Sequence, residues 1–325
     1  MSSPPRPAPP APRVSVVMPA YNAARYLDAA MRSALASDLT ELELVLIDDG
    51  STDGSLEIAR GLADPRVVVI TQRASGGPSR PRNVGIAHSR APYVALLDAD
   101  DLLKPDKLSS SVAALEENPR AVIAFADYER IDSEGRMLDR TTLTGYPVFQ
   151  SLSKHQVSGG WCLLPREEFA RGLLFENFIG TSGVILRRSA LERVGTPFDE
   201  TLTFSEDRDL WFRLAHTGEA LYCERVGHAY RVSPGSLSLR PGAHQAHCRI
   251  EVLRRERARW EERRAWRVVD RLIAENWAEI AYDHRRCGRR FSSVTTFLRA
   301  ALTSPERRWM RAALGSLAPW SRSAS

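Results

Sequence analysis

The chain has 325 residues, of which 43% are apolar and 26% charged, with 45 Lys plus Arg against 40 Asp plus Glu. That composition excludes a mostly disordered or fibrous chain, and the length allows one large domain or two ordinary ones, each able to bury a core. The net charge of +5 is uneven, since residues 1–243 hold 27 basic and 31 acidic side chains and residues 244–325 hold 18 and 9. Arg supplies 42 of the basic residues, a bias that by itself is weak evidence for nucleic acid, and no nucleic-acid partner is expected.

Residues 1–13 lack the apolar core of a signal peptide and read as a disordered Pro/Ala-rich leader. From Val14 to about Glu117, short apolar runs (SVVMP, ELVLI, VVVIT, YVALL) alternate with segments of helical period. Between the first two, Tyr26, Leu27, Ala30, Met31 and Leu35 fall on one helical stripe. Such alternation predicts an α/β fold with a mainly parallel sheet, whose ligands bind beyond the carboxyl ends of the strands. AVIAFAD adds a strand, and residues 128–180 then lose periodicity and read as loops that cover a site. Regularity returns with GVILR, an amphipathic helix near Arg208 to Ala215, and an extended stretch from Ala220 to Val232. Beyond residue 243 the pattern is helical and Arg-rich, with five of the seven tryptophans. Cys162, Cys223, Cys248 and Cys287 form no CxxC pair, which fits reduced thiols in a cytoplasmic protein, and no apolar run reaches the ~20 residues that span a bilayer.

Polar clusters sit where strands end. Asp98, Asp100 and Asp101 crowd three carboxylates into four residues, and such a group repels itself unless cations or hydrogen-bond donors neutralise it. Oxygen-only ligands suit Mg²⁺ or Mn²⁺ and leave room for substrate phosphates, whereas capping the helix that begins near Pro105 would use only one Asp. Asp48 to Gly54 is either a turn into a capped helix or, beside a metal rim, a source of an Asp that accepts from a nucleobase imide. Arg80 to Gly85 places cations at a helix start, where backbone N–H groups also favour anions. In Ser205 to Leu214, acids open an amphipathic helix; they complement its dipole, or one of them removes a proton from an attacking hydroxyl.

Taken in order, SVVMPAYN, LVLIDDGSTDGS, PRNVGIAHSRAPYVALLDADD with KPDKL, and SEDRDLWFRLA resemble the inverting family 2 glycosyltransferases of GT-A fold, over roughly residues 14–235. The resemblance implies a GT-A catalytic domain, drawn at 14–243, with a basic α-helical extension at 244–325. Pro19, Tyr21, Asn22, Asp49, Arg82 and Asp98 would bind the donor, with Asp49 reading a uracil or thymine edge and Asp98 contacting ribose. Asp100 would be the protein ligand of Mn²⁺ or Mg²⁺, Asp207 the general base and Glu206 its support. The implied reaction moves a sugar from a nucleoside-diphosphate sugar to a glycan, lipid-linked or small-molecule hydroxyl acceptor in polysaccharide, glycolipid or glycoconjugate synthesis. A nucleotidyltransferase and a non-catalytic nucleotide-sugar binder are the competing readings.

The sequence departs from the family where many relatives carry Tyr-Arg-x-His, because Ser233 takes the His position after Tyr230 and Arg231. His228 nearby is read as structural. The 244–325 extension either packs on the core or a second subunit, or lies at the inner face of a membrane. Interleaving of its Glu with its Arg favours packing.

Overall fold

The computed structural model describes residues 11–233 and 242–317, apart from position 262. The chain forms two compact units, Met1–Pro234 and Gly235–Ser325. The leader and the stretch from Pro234 to Pro241 lie outside the described residues except at Ala11, Pro12 and Arg13.

The first unit is built on one sheet of β1 (Val14–Ala20), β2 (Leu42–Asp48), β3 (Val67–Thr71), β4 (Tyr93–Leu96), β5 (Leu102–Leu103), β6 (Ala121–Ile131), β7 (Met137–Asp139), β8 (His155–Gln156), β9 (Trp161–Leu164), β10 (Ile185–Arg187) and β11 (Glu219–Arg231). Its order is β3-β2-β1-β4-β10-β6-β11-β9-β8, with β5 on β11 and β7 on β6. β1 to β4 run parallel, β10 enters antiparallel between β4 and β6, and β6 pairs parallel with β11. The helices are α1 (Leu27–Leu35), α2 (Ser55–Gly61), α3 (Ser79–His88), α4 (Lys107–Glu117), α5 (Pro147–Ser151), α6 (Arg166–Phe175), α7 (Arg188–Val194) and α8 (Glu206–Ala215).

Period-two alternation along β1 and β2 divides their side chains between two helical layers. Val16, Met18, Leu44 and Leu46 join the core that receives Leu27, Ala30 and Met31 of α1. Val17 and Ile47 point to the other face, where α3 crosses so closely that a Cβ on Gly85 would lie 2.5 Å from each of their side chains. This tight crossing seats Arg82, one turn earlier in α3, at the carboxyl ends of the strands.

The expectation for residues 128–180 is corrected in part. That stretch contains β9 and the ten-residue α6, whose Phe169, Ala170, Leu173 and Leu174 are buried. Arg208 of α8 donates to the carbonyls of Leu173 and Leu174, fastening the end of α6 to α8.

The second unit contains α9 (Ala243–Arg259), α10 (Arg263–Arg286), α11 (Arg290–Thr303) and α12 (Arg307–Gly315). Val269, Ile273, Ala274, Ile280, Phe297 and Trp309 are buried. Among the described residues no helix is long and apolar enough to cross a membrane.

Replacing Gly85 by Val should destabilise the first unit by about 2 kcal/mol, because the added atoms meet packed side chains of two central strands. Urea denaturation followed by tryptophan fluorescence would report this as a lower midpoint, and an unchanged midpoint would contradict the packing.

Candidate active site

Four loops meet at the carboxyl ends of β1, β2 and β4 and the start of α8. After β1, Tyr21 is 58% exposed and Pro19 partly buried. Asn22 holds a positive φ of 49°, and its Oδ1 accepts the Thr52 N–H at 2.8 Å while its own N–H donates to Ser51 Oγ at 3.0 Å. The two loops are thereby joined. Asp53 adds to this by accepting from the Ala24 and Ser55 backbones, so the Asp-rich turn after β2 does work as a helix start.

Asp49 is buried, and its carboxylate accepts from Gln72 Nε2 at 2.6 Å, the Ser75 N–H at 3.1 Å and Ser75 Oγ at 2.8 Å. Both oxygens are engaged, so reading a base edge from Asp49 requires one of these donors to give way. Gly50 at φ 76° makes the turn possible, since a Cβ there would approach the Ala74 nitrogen at 2.8 Å.

Arg82 is 4% exposed and lies between two carboxylates, donating to Asp98 Oδ1 at 2.7 Å and to Glu206 Oε1 at 2.9 Å. These carboxylates hold its guanidinium firmly protonated despite burial. The cation expected near a donor thus has its charge committed within the protein, joining the end of β4 to the start of α8.

The three acids after β4 do not cap α4; they have separate partners. Asp98 meets Arg82 and its N–H donates to Ser182 Oγ at 3.0 Å. Asp101 is buried, accepts the Arg231 N–H at 2.8 Å through Oδ1 and leaves Oδ2 without a partner; burial and the neighbouring carboxylates raise its pKa. Arg231 further donates to the Asp100 and Asp132 carbonyls and stacks 4.5 Å from the Tyr26 ring centre, holding the acidic turn. Asp100 is partly exposed, and its carboxylate makes no ion pair. Burial and then Asp98 push its pKa up to about 6. A carboxylate so placed fits a divalent cation, because added positive charge relieves both effects. No group of three or more His, Cys, Asp or Glu among the described residues is arranged to hold a metal, so most of the coordination shell would come from non-protein oxygens.

At α8, Ser205 holds a positive φ of 61° just before the two acids. Glu206 turns to Arg82. Asp207 accepts from Asn177 Nδ2 at 3.1 Å through Oδ2 and from the Arg208 N–H at 2.6 Å through Oδ1, with Thr181 Oγ1 at 3.5 Å. Burial raises the pKa of Asp207, which makes it a stronger base than an ordinary aspartate. His228 is buried and stacked on Tyr128 with ring centres 5.0 Å apart, and burial lowers its pKa to about 3, so it is neutral.

Residues 15–195 match the model of the family described as glycosyl transferase family 2. The chain belongs to glycosyl transferase family 2. The succinoglycan biosynthesis protein ExoO of Rhizobium meliloti is 30% identical over 230 residues, 70% of this chain and 63% of that protein. An uncharacterized glycosyltransferase of Haemophilus influenzae is 35% identical over 133 residues, 40% of this chain and 53% of that protein. The chain thus spans about half to five-eighths of these curated relatives. Staphylococcus aureus TarS 1-349, in its complex with UDP-GlcNAc, superposes with a TM-score of 0.64 at 19% identity, covering 91% of this chain and 82% of that one, and shows a shared GT-A fold.

Within this family 2 fold, Gln72, Ser75, Asn177, Ser182 and Arg231 hold the carboxylates, and none was singled out from sequence. Only Arg231 carried a signal, in the partial Tyr-Arg pattern; the others lie in irregular segments and are found by geometry alone.

Arg82→Met should cost about 3–5 kcal/mol, since it strands Asp98 and Glu206. The deficit against wild type in urea should shrink from pH 7 to pH 5 as the stranded carboxylates take up protons; a pH-independent deficit would point to lost packing instead. Asn177→Ala removes a donor that favours ionised Asp207, so if Asp207 is the base the acid limb of the kcat/KM profile should move to higher pH, and an unmoved limb would separate Asn177 from the titrating group.

Proposed function

We propose that this chain transfers a sugar from a nucleoside-diphosphate sugar to a hydroxyl acceptor in one inverting displacement, with Asp207 as the base. Family membership supports the reaction class. The observation that carries the residue roles is the division of labour at α8. Glu206 neutralises Arg82, whereas Asp207 makes no ion pair and is oriented by the neutral Asn177 amide and a backbone N–H.

The chemistry then rests on what these side chains do. Asp207, its basicity raised by burial, takes the proton of the acceptor hydroxyl as its oxygen attacks the anomeric carbon. Asn177 and the Arg208 N–H fix the carboxylate so that little reorganisation accompanies the transfer. One displacement with one base inverts the anomeric configuration, as base-assisted attack does in inverting glycosidases. Asp98, steadied by Arg82 through Oδ1, retains a second oxygen for ribose, and exposed Tyr21 with Pro19 offers a wall for the base. Asp100 would hold Mn²⁺ or Mg²⁺, which supplies positive charge to the leaving diphosphate.

A uridine or thymidine carrier is supported by the fold neighbour bound to UDP-GlcNAc, and Asp49 would read the base once Gln72 or Ser75 gives way. A relative named for succinoglycan biosynthesis supports a role in polysaccharide or related glycoconjugate assembly, with a glycan or lipid-linked acceptor. A nucleotidyltransferase would leave Asp207 without a task.

Incubating the protein with a panel of sugar nucleotides and Mn²⁺ should release nucleoside diphosphate from one donor class; release of pyrophosphate would favour the nucleotidyltransferase. Asp207→Asn should lower turnover by about 10²–10⁴-fold while nucleotide binding is retained, and near-normal turnover would remove Asp207 from the mechanism. Asp100→Ala should abolish the gain in calorimetric UDP affinity brought by Mn²⁺; an undiminished gain would place the metal elsewhere.

A further inference from the structure

The acidic residues of the second unit are not spread evenly. Residues 244–283 carry nine Arg against eight Asp plus Glu, whereas residues 284–317 carry eight Arg against Glu306 alone. Within α9 and α10, Arg249 pairs with Glu279, Arg257 with Asp270, Arg259 with Glu256 and Arg271 with Glu275, while of the later arginines Arg286 and Arg289 share Asp283 and Arg308 reaches Glu275 and Glu306. The interleaving that argued against a one-signed face therefore belongs to α9 and α10.

The hairpin of α11 and α12 is different. Ser293 Oγ and Ser316 Oγ meet at 3.0 Å, so the start of one helix packs on the end of the other, with Phe297, Ala300, Trp309 and Ala313 inside. On its outside α11 exposes Phe291 (81%), Leu298 and Leu302 (87%), spaced seven and four residues apart. The outer side of α12 exposes Met310 and Leu314, four apart, and Leu317 follows three residues later. These spacings make helical stripes of apolar side chains in water. Arg307 and Arg311 precede Met310 and Leu314 by three residues each, which places them on the same face, whereas Arg299 turns to the Trp277 ring, 5.4 Å from its centre. Arg290, Arg307 and Arg311 make no ion pair among the described residues.

We propose that the α11–α12 hairpin is a docking surface for an anionic lipid bilayer, with the apolar stripes entering the headgroup region and the flanking arginines meeting lipid phosphates. Charge complementarity selects this occupant. A second copy meeting the same face would set arginine against arginine, whereas an anionic leaflet attracts each of them and accepts the apolar side chains. The proposal is independent of the catalytic roles and would bring a glycosyltransferase to lipid-borne substrates.

The full chain, sedimented with phosphatidylcholine vesicles containing about 30% phosphatidylglycerol, should bind at low salt, bind pure phosphatidylcholine at least tenfold more weakly, and be released as salt is raised to about 0.5 M. Arg307→Glu with Arg311→Glu, and separately Leu302→Ser with Leu314→Ser, should each lower binding at least tenfold while thermal melts stay unchanged, since all four side chains are exposed. Absence of binding, equal binding to neutral vesicles, or unaltered binding by both variants would overturn the proposal. So would a dimer in light scattering that either variant dissolves.

Discussion

The site depends on one guanidinium. Arg82 is almost wholly removed from water and faces Asp98 on one side and Glu206 on the other. Burial penalises the charges of Arg82 and Glu206, and the bridge offsets this because each supplies what the other has lost in solvation, while the part-exposed Asp98 holds the other side of the guanidinium. The bridge fixes the end of β4 against the start of α8, elements more than a hundred residues apart in the chain, and therefore fixes Asp100 and Asp207 in relation to one another.

The same constraint sorts similar acids into different tasks. Asp98 is tied to the Arg82 guanidinium and Asp101 to the Arg231 backbone N–H, and both shape the turn, while Asp100 makes no ion pair and is unfavourably charged. Glu206 neutralises Arg82 so that its neighbour Asp207 need not. Asn177 then orients Asp207 without supplying a full charge, and its hydrogen bond offsets only part of the rise in basicity that burial confers. The two non-glycine residues of positive φ among the described residues, Asn22 and Ser205, both sit in these loops, where backbone strain is held by surrounding contacts.

Much of this was legible from sequence. Buried parallel strands read as unbroken apolar runs, so β1 to β4 were recognisable, and motifs at strand ends pointed to the rim where Asp49, Asp98, Asp100 and Asp207 lie. What stayed hidden depends on contacts between distant segments. Arg82 read as a cation awaiting an anion because nothing local shows that Asp98 and Glu206 would enclose it. The burial of Asp207 could not be read locally, because Asn177 and Thr181, which approach it, lie 30 and 26 residues earlier. In α6 the period is interrupted by Gly172, a poor helix former, so the segment did not stand out from loops. In the second unit, an average over 82 residues concealed that the acids end at Asp283 except for Glu306.

If charge compensation by Arg82 is what holds the site together, removing the charges it compensates should make it dispensable. The direct measurement compares the urea stability of Arg82→Met with that of the triple variant Arg82→Met, Asp98→Asn, Glu206→Gln at pH 7. Recovery of most of the lost stability in the triple variant is the predicted result. A triple variant as unstable as Arg82→Met alone would contradict it, and would mean that Arg82 serves by its shape rather than its charge.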